Sequence, residues 1–128
     1  MADTVVVTNV GLGITTALLA ASSNKYIGWG TDNDPVAAAG DTTLNAESAN
    51  ETRATGTASQ QTTTTTNDTF RVVGTLTCAT SAKAITEAGI FSQEASGGSM
   101  FVRATFDAIN VSVGDSIQFT FNTVFDQG

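Results

Sequence analysis

The chain has 128 residues and a mass of 13.1 kDa, the size of one domain that buries roughly two thirds of its unfolded surface around a single core. Five Lys and Arg against twelve Asp and Glu give a net charge of −7, which argues against the cationic face that nucleic acid or an anionic membrane requires. With no histidine and a single cysteine, the commonest general base, the commonest neutral metal ligand and any internal disulfide are missing, so most enzyme mechanisms fall away and no cofactor or metal is expected.

Charged residues make up only 13% of the chain, about half the share of an ordinary soluble domain. Hydroxyls must therefore cover the surface. Thr is the commonest residue, and its β-branched side chain suits a half-solvated pleated sheet better than a helix. A hydrophobic content of 41% with seven Phe, one Trp and one Tyr, arranged periodically, is enough for a core and sets disorder aside.

The N-terminus, Met1-Ala2-Asp3-Thr4, is acidic where a secretory leader would be basic, and Val10 to Ala21 is too short and too interrupted by Gly11, Gly13, Thr15 and Thr16 to span a bilayer. Residues 1–8 are expected to form an arm or strand and residues 9–23 a helix. Asn9 supplies a cap, Ile14, Leu18 and Ala21 recur at helical spacing, and Leu12, Leu19 and Ala20 widen the apolar face toward a sheet. Ser22-Ser23-Asn24 ends it.

From residue 26 to 125 the pattern is one of antiparallel strands. Tyr26-Ile27-Gly28-Trp29-Gly30 is a short aromatic strand closed by the turn types of Thr31-Asp32-Asn33-Asp34-Pro35. Val36 to Ala49 has no clear period and is expected to be loop. Glu51 to Gln61 is polar, and Thr62 to Thr66 suits either an exposed strand or a mobile hairpin tip. Phe70, Val72, Leu76 and Cys78 alternate with polar neighbours across Gly74, the clearest strand in the chain. Ala84 to Phe91, a turn around Gly97-Gly98, and Met100 to Phe106 predict a hairpin in which Met100, Val102, Ala104 and Phe106 share a face. After the turn at Val113-Gly114-Asp115-Ser116, the alternation of Ile117-Gln118-Phe119-Thr120-Phe121-Asn122 puts Ile117, Phe119 and Phe121 inside. The fold expected is mainly β, an antiparallel β-sandwich or small barrel with one N-terminal helix, in a single domain spanning 1–128.

Edge strands are usually protected by Lys, Pro or bulges, and this chain has two Lys and one Pro. Its edges need other cover, so a homo-oligomer, dimer or trimer, or incorporation in a larger shell is expected.

The candidate chemical groups have ordinary explanations. Asp32-Asn33-Asp34 opens like a calcium loop, but Val36 and Ala37 stand where such a loop continues with polar ligands and glycine. Cys78, without a histidine to activate it, reads as a small core hydrophobe. Neither Lys25 or Lys83 beside a hydroxyl, nor Glu87 with Glu94 as a glycosidase pair, has a motif behind it. Asn50-Glu51-Thr52, Asn67-Asp68-Thr69 and Asn110-Val111-Ser112 meet the glycosylation rule as a Thr- and Ser-rich chain does by chance. Trp29 with Tyr26 is either core or a platform for a sugar.

One resemblance sharpens this. Tyr26-Ile27-Gly28-Trp29-Gly30-Thr31, continued by Leu44, Glu47, Glu51 and Arg53, then Ile85-Thr86-Glu87-Ala88-Gly89-Ile90-Phe91, Arg103-Ala104-Thr105-Phe106 and a closing Gly114 to Phe121 strand, occur in an order that resembles small virion structural proteins of tailed bacteriophages. Each motif alone is weak and the specificity lies in their order. The resemblance implies a non-enzymatic head decoration or cement protein, made in the host cytoplasm and placed on the outer surface of the head, with the major-capsid-protein shell as partner and neither nucleic acid nor membrane. The short acidic chain has neither heptads nor collagen-like repeats and suits a place away from packaged DNA. Docking is expected through Thr4, Val5, Val6 and Val7 and through the aromatics Tyr26 and Trp29, against the alternative that Val5 and Val7 extend the domain's own sheet. The second reading is a tail or fibre module in which Tyr26 and Trp29 bind host-surface glycan; a polysaccharide hydrolase comes third.

Overall fold

A computed structural model describes residues 4–32 and 36–127. One helix, α1 (Asn9–Ala20), precedes seven strands: β1 (Tyr26–Gly30), β2 (Ala54–Thr55), β3 (Thr57–Gln61), β4 (Thr69–Thr77), β5 (Lys83–Phe91), β6 (Met100–Val111) and β7 (Ser116–Val124). They form two antiparallel sheets, one in the order β2-β1-β5-β6 and the other β3-β4-β7. The fold is a β-sandwich with one helix, and the barrel alternative is set aside. The helix is not long and apolar enough to cross a membrane.

The core lies between the sheets, where Ile27 and Trp29 of β1, Ile85, Ala88 and Ile90 of β5, and Phe70, Val72 and Leu76 of β4 meet with Cys78 and Val111. β2 and β3 are nearly one extended run that changes sheet at Gly56. A side chain there would drive into Val72 Cγ1 at 2.5 Å and the Lys25 carbonyl at 2.8 Å, so only glycine lets the backbone pass this close.

The strands expected from alternation at 26–30, in β4 and in β7 are present, with Ile117, Phe119 and Phe121 turned inward. β6 runs on to Val111, and the register shift between Ile90 and Phe91 corrects its expected face. Met100 opposes Phe91 while Val102 opposes Ile90, so one extra residue, Phe101, takes Met100 off the face of Val102 and Ala104. Phe101 instead meets the Phe70 ring edge-on at 5.6 Å.

The helix differs from expectation in three ways. Its cap is Thr8, not Asn9: the Thr8 hydroxyl accepts the Gly11 N–H at 3.0 Å. It stops at Ala20 rather than residue 23, because the Ser22 hydroxyl takes the Leu19 carbonyl at 2.6 Å and Ala21 becomes an exposed C-cap. Its inner face is Leu12, Thr16, Leu19 and Ala20, whereas Ile14 and Leu18 point to solvent. The Thr16 hydroxyl bonds the Asn67 carbonyl at 2.7 Å, and Gln60 Nε2 donates to the Gly13 carbonyl and to Thr16 Oγ1. These polar ties fix which side of an all-neutral helix faces β3 and β4.

The Thr62 to Thr66 tract is not a strand but the tip between β3 and β4. Its order comes from Asp68, whose carboxylate accepts the backbone N–H groups of Thr63, Thr64 and Thr65 and the Thr69 hydroxyl. Those donors, Thr65 foremost, hold the Asp68 carboxyl far below the usual carboxylate range. The turn expected at Thr31 to Pro35 and the calcium reading of Asp32-Asn33-Asp34 fall largely outside the described residues.

Candidate functional site

Two neighbourhoods concentrate what is unusual in this chain. One is a set of charges on the outer face of the first sheet, and the other is a neutral surface at the N-terminus.

The charged neighbourhood begins with Gly28-Trp29-Gly30. Alternation sends Trp29 into the core at 1% exposure and turns the two glycines outward. The loop before β2 folds over them. A side chain at Gly28 would meet Glu47 Oε2 at 2.6 Å, and one at Gly30 would meet the Glu87 carboxylate and the Ala46 carbonyl. The glycines thus leave room for two carboxylates. Glu87, fully buried, accepts the N–H groups of Asn45 and Ala46 and the guanidinium of Arg103. Arg103 also reaches Asp41 at 2.9 Å and Asp32 at 3.3 Å. Beside them Arg53 lies 3.5 Å over the Phe91 ring, grips Glu47 with two nitrogens and donates to the carbonyls of Gln93, Ala95 and Gly97.

A third cluster surrounds Glu51, which accepts from the Trp29 indole N–H, the Ser48 hydroxyl, the Ala79 N–H and Lys83. Burial raises its pKa, but these donors, Lys83 foremost, outweigh that and lower it to about 2. The same pairing raises Lys83, and Glu87 with Asp41 raises Arg103 against its burial. No buried side-chain polar atom among the described residues lacks a partner. These groups are occupied with one another, and what they do is pin the loop to the sheet.

This disposes of several candidates. Trp29 is a core residue, edge-on to Phe119 at 6.4 Å with its N–H committed to Glu51, so the expectation that it forms a docking or glycan-binding surface is corrected: β1 alternation puts it between the sheets. Tyr26 is half-buried at the start of β1, opposite Thr55 and Phe91. Glu87 is locked inside while Glu94 is exposed, and the structure does not place them in one site. Cys78 is buried, its thiol directed to the Ser81 carbonyl at 3.1 Å. Among the described residues no three His, Cys, Asp or Glu are grouped to hold a metal ion.

The neutral neighbourhood is built from residues 4–24, which contain no Asp, Glu, Lys or Arg. Thr4 to Thr8 form an exposed arm with no strand partner among the described residues, so the alternative that Val5 and Val7 extend the domain's own sheet is set aside. Val5 is 94% exposed, and Val6 and Val7 are half-exposed or more. The arm runs into α1, where Val10 (74%), Ile14 and Leu18 (68%) recur every four residues along the outward face. Single exposed aliphatics are ordinary; six in one continuous segment form the candidate interaction surface. Helical spacing picks out Ile14 and Leu18 but turns them toward the sheet, because the helix is apolar on both sides, with nothing charged to mark the outside. Its signal was the absence of charge itself.

No protein family, curated protein or solved structure matches the chain.

Proposed function

We propose that this chain is a non-enzymatic decoration (cement) protein of a tailed-bacteriophage head, which binds the outside of the assembled major-capsid-protein shell across capsomer boundaries and stabilises it. The observation that carries the reading is the neutral arm and stripe, Val5, Val6, Val7, Val10, Ile14 and Leu18, exposed on a compact acidic domain. The order of motifs, which resembles that of small phage virion proteins, supplies the class of partner. Of the five cationic side chains, Arg53, Lys83 and Arg103 are nearly buried in ion pairs, which leaves little positive surface for nucleic acid.

Docking follows from elementary terms. Among the described residues the backbone groups of Thr4 to Val7 have no backbone partner, and all four side chains are β-branched, as a strand added to a partner's sheet edge requires. The stripe then buries apolar surface beside it without desolvating a charge. A site assembled from two neighbouring capsomers exists only in the closed shell, so binding stabilises the assembled state by mass action. The glycan-recognition alternative loses its platform with Trp29 inside the core.

Quantitative mass spectrometry of purified virions tests the location: a simple stoichiometric ratio to the major capsid protein is expected, and a handful of copies or none overturns the reading. Deletion of residues 1–8 tests the surface. The shortened protein is expected to keep its circular dichroism spectrum and thermal transition while losing shell binding; unchanged binding overturns the docking role.

A further inference from the structure

We propose that β7 is a self-association edge, at which two copies of this chain pair antiparallel about a two-fold axis through Thr120. The inference does not rest on the capsid reading.

Each sheet has two edges, and three of the four carry some protection. β2 is two residues long, β3 is covered by α1, and the β6 edge contains Asp107 and two register shifts. β7 is nine residues long, pairs with β4 alone, has an unbroken register, and contains neither charge nor proline. None of the usual devices against edge pairing is present.

The register shows which backbone groups are free. β4 and β7 pair from Thr69 with Val124 to Thr77 with Ser116, and at the ends Phe125 N–H donates to Asp68 C=O and Cys78 N–H to Asp115 C=O. Odd-numbered residues of β7 therefore occupy the hydrogen-bonded positions against β4, and the pattern alternates. Ser116, Gln118, Thr120, Asn122 and Val124 turn their N–H and C=O groups away from the sheet. A second β7 centred on Thr120 sets Thr120 against Thr120, Gln118 against Asn122 and Ser116 against Val124, and satisfies all of them reciprocally, as an isologous interface must.

The side chains agree with the same operator. On the inner face it brings Phe119 beside Phe121 of the other copy, at the mouth of a groove of about 320 Å³ lined by Phe106, Ile109, Ile117, Phe119 and Phe121. Those rings are only partly buried in one copy and are shielded in two. Charge selects the occupant: a chain of net −7 repels its own copy wherever acidic residues face, and the seam from 116 to 124 contains none.

The test is sedimentation of the full chain and of two variants chosen to spare the monomer. Thr120→Pro removes only an N–H that faces outward, which an edge strand tolerates. Thr120→Glu places two carboxylates against each other at the axis. A dimer is expected for the wild type, and both variants, with unchanged circular dichroism, are expected to weaken it by roughly tenfold or more, since two hydrogen bonds are lost or two like charges gained per dimer. Mild oxidation of Thr120→Cys is expected to cross-link the dimer, and that of Gln118→Cys is not, because residue 118 faces 122 of the other copy. A monomeric wild type, a dimer indifferent to both variants, equal cross-linking at 118 and 120, or a dimer abolished instead by deleting residues 1–8 overturns the proposal.

Discussion

The outer face of the first sheet and the neutral margins of the molecule handle polar groups in opposite ways. Over β1, β5 and β6, carboxylates and guanidinium groups are taken out of water and each is consumed by an internal partner. Along the arm, the outer stripe of α1 and the free edge of β7, there is no charge, and exposed aliphatic side chains and outward backbone groups have no partner among the described residues. Charge here holds the domain together, and its absence marks the surface that the fold itself does not use.

The largest expected effect comes from breaking the charged side of this comparison. Arg103→Leu removes the counter-charge of the fully buried Glu87 carboxylate, and urea denaturation is expected to show a loss of about 3–5 kcal/mol. A loss below about 1 kcal/mol contradicts the account of the lock.

Acid attacks the same side. Glu51 ordinarily titrates at 4.5 and is held at about 2 in the fold, so the unfolded chain binds the proton first. Its contribution is complete above about pH 4.5 and is lost as pH falls toward 2. Asp68 and Asp41, both lowered, act in the same direction; Lys83 and Arg103, both raised, lose their contribution only in strong alkali. Thermal melts are expected to be flat from pH 6 to 9 and to fall steeply below about 4.5, with a shallower acid limb in Glu51→Gln.

Gly30→Ala separates space from charge. The new methyl meets the Glu87 carboxylate and the Ala46 carbonyl, and a loss of about 1–3 kcal/mol is expected in the same denaturation measurement. The smallest effect on stability belongs to the neutral side: replacing Val10, Ile14 and Leu18 together by Ser is expected to cost within about 1 kcal/mol in all. The same triple variant is expected to lose shell binding in a pelleting assay, and retained binding removes the stripe from the proposed surface.

Strands whose inward residues alternate with polar ones are legible in the sequence: Phe70, Val72 and Leu76 in β4, and Ile117, Phe119 and Phe121 in β7, lie where period two puts them. Period two fails where the backbone slips, as at Phe101, since a bulge leaves no mark in composition. The helix was legible as an element but not in its orientation. Leu12 and Thr16 face one way and Val10, Ile14 and Leu18 another, and a hydroxyl bonded to Asn67 decides between them. The charge lock was not legible either, because Glu87 and Arg103 come from two other strands than the segment that carries the Glu47–Arg53 pair. Only the paired glycines around Trp29 hinted that something large had to fit outside that strand. The neutral run from 4 to 24 and the bare β7 edge were both visible as missing charge.

Trp29 is the single tryptophan of the chain, and its indole ring touches both sides of the comparison: the N–H ends on Glu51, and the ring edge meets Phe119 of β7. The protein thus carries its own optical gauge. Emission from a ring so enclosed lies toward the blue and moves to the red when the sandwich opens, without any attached dye.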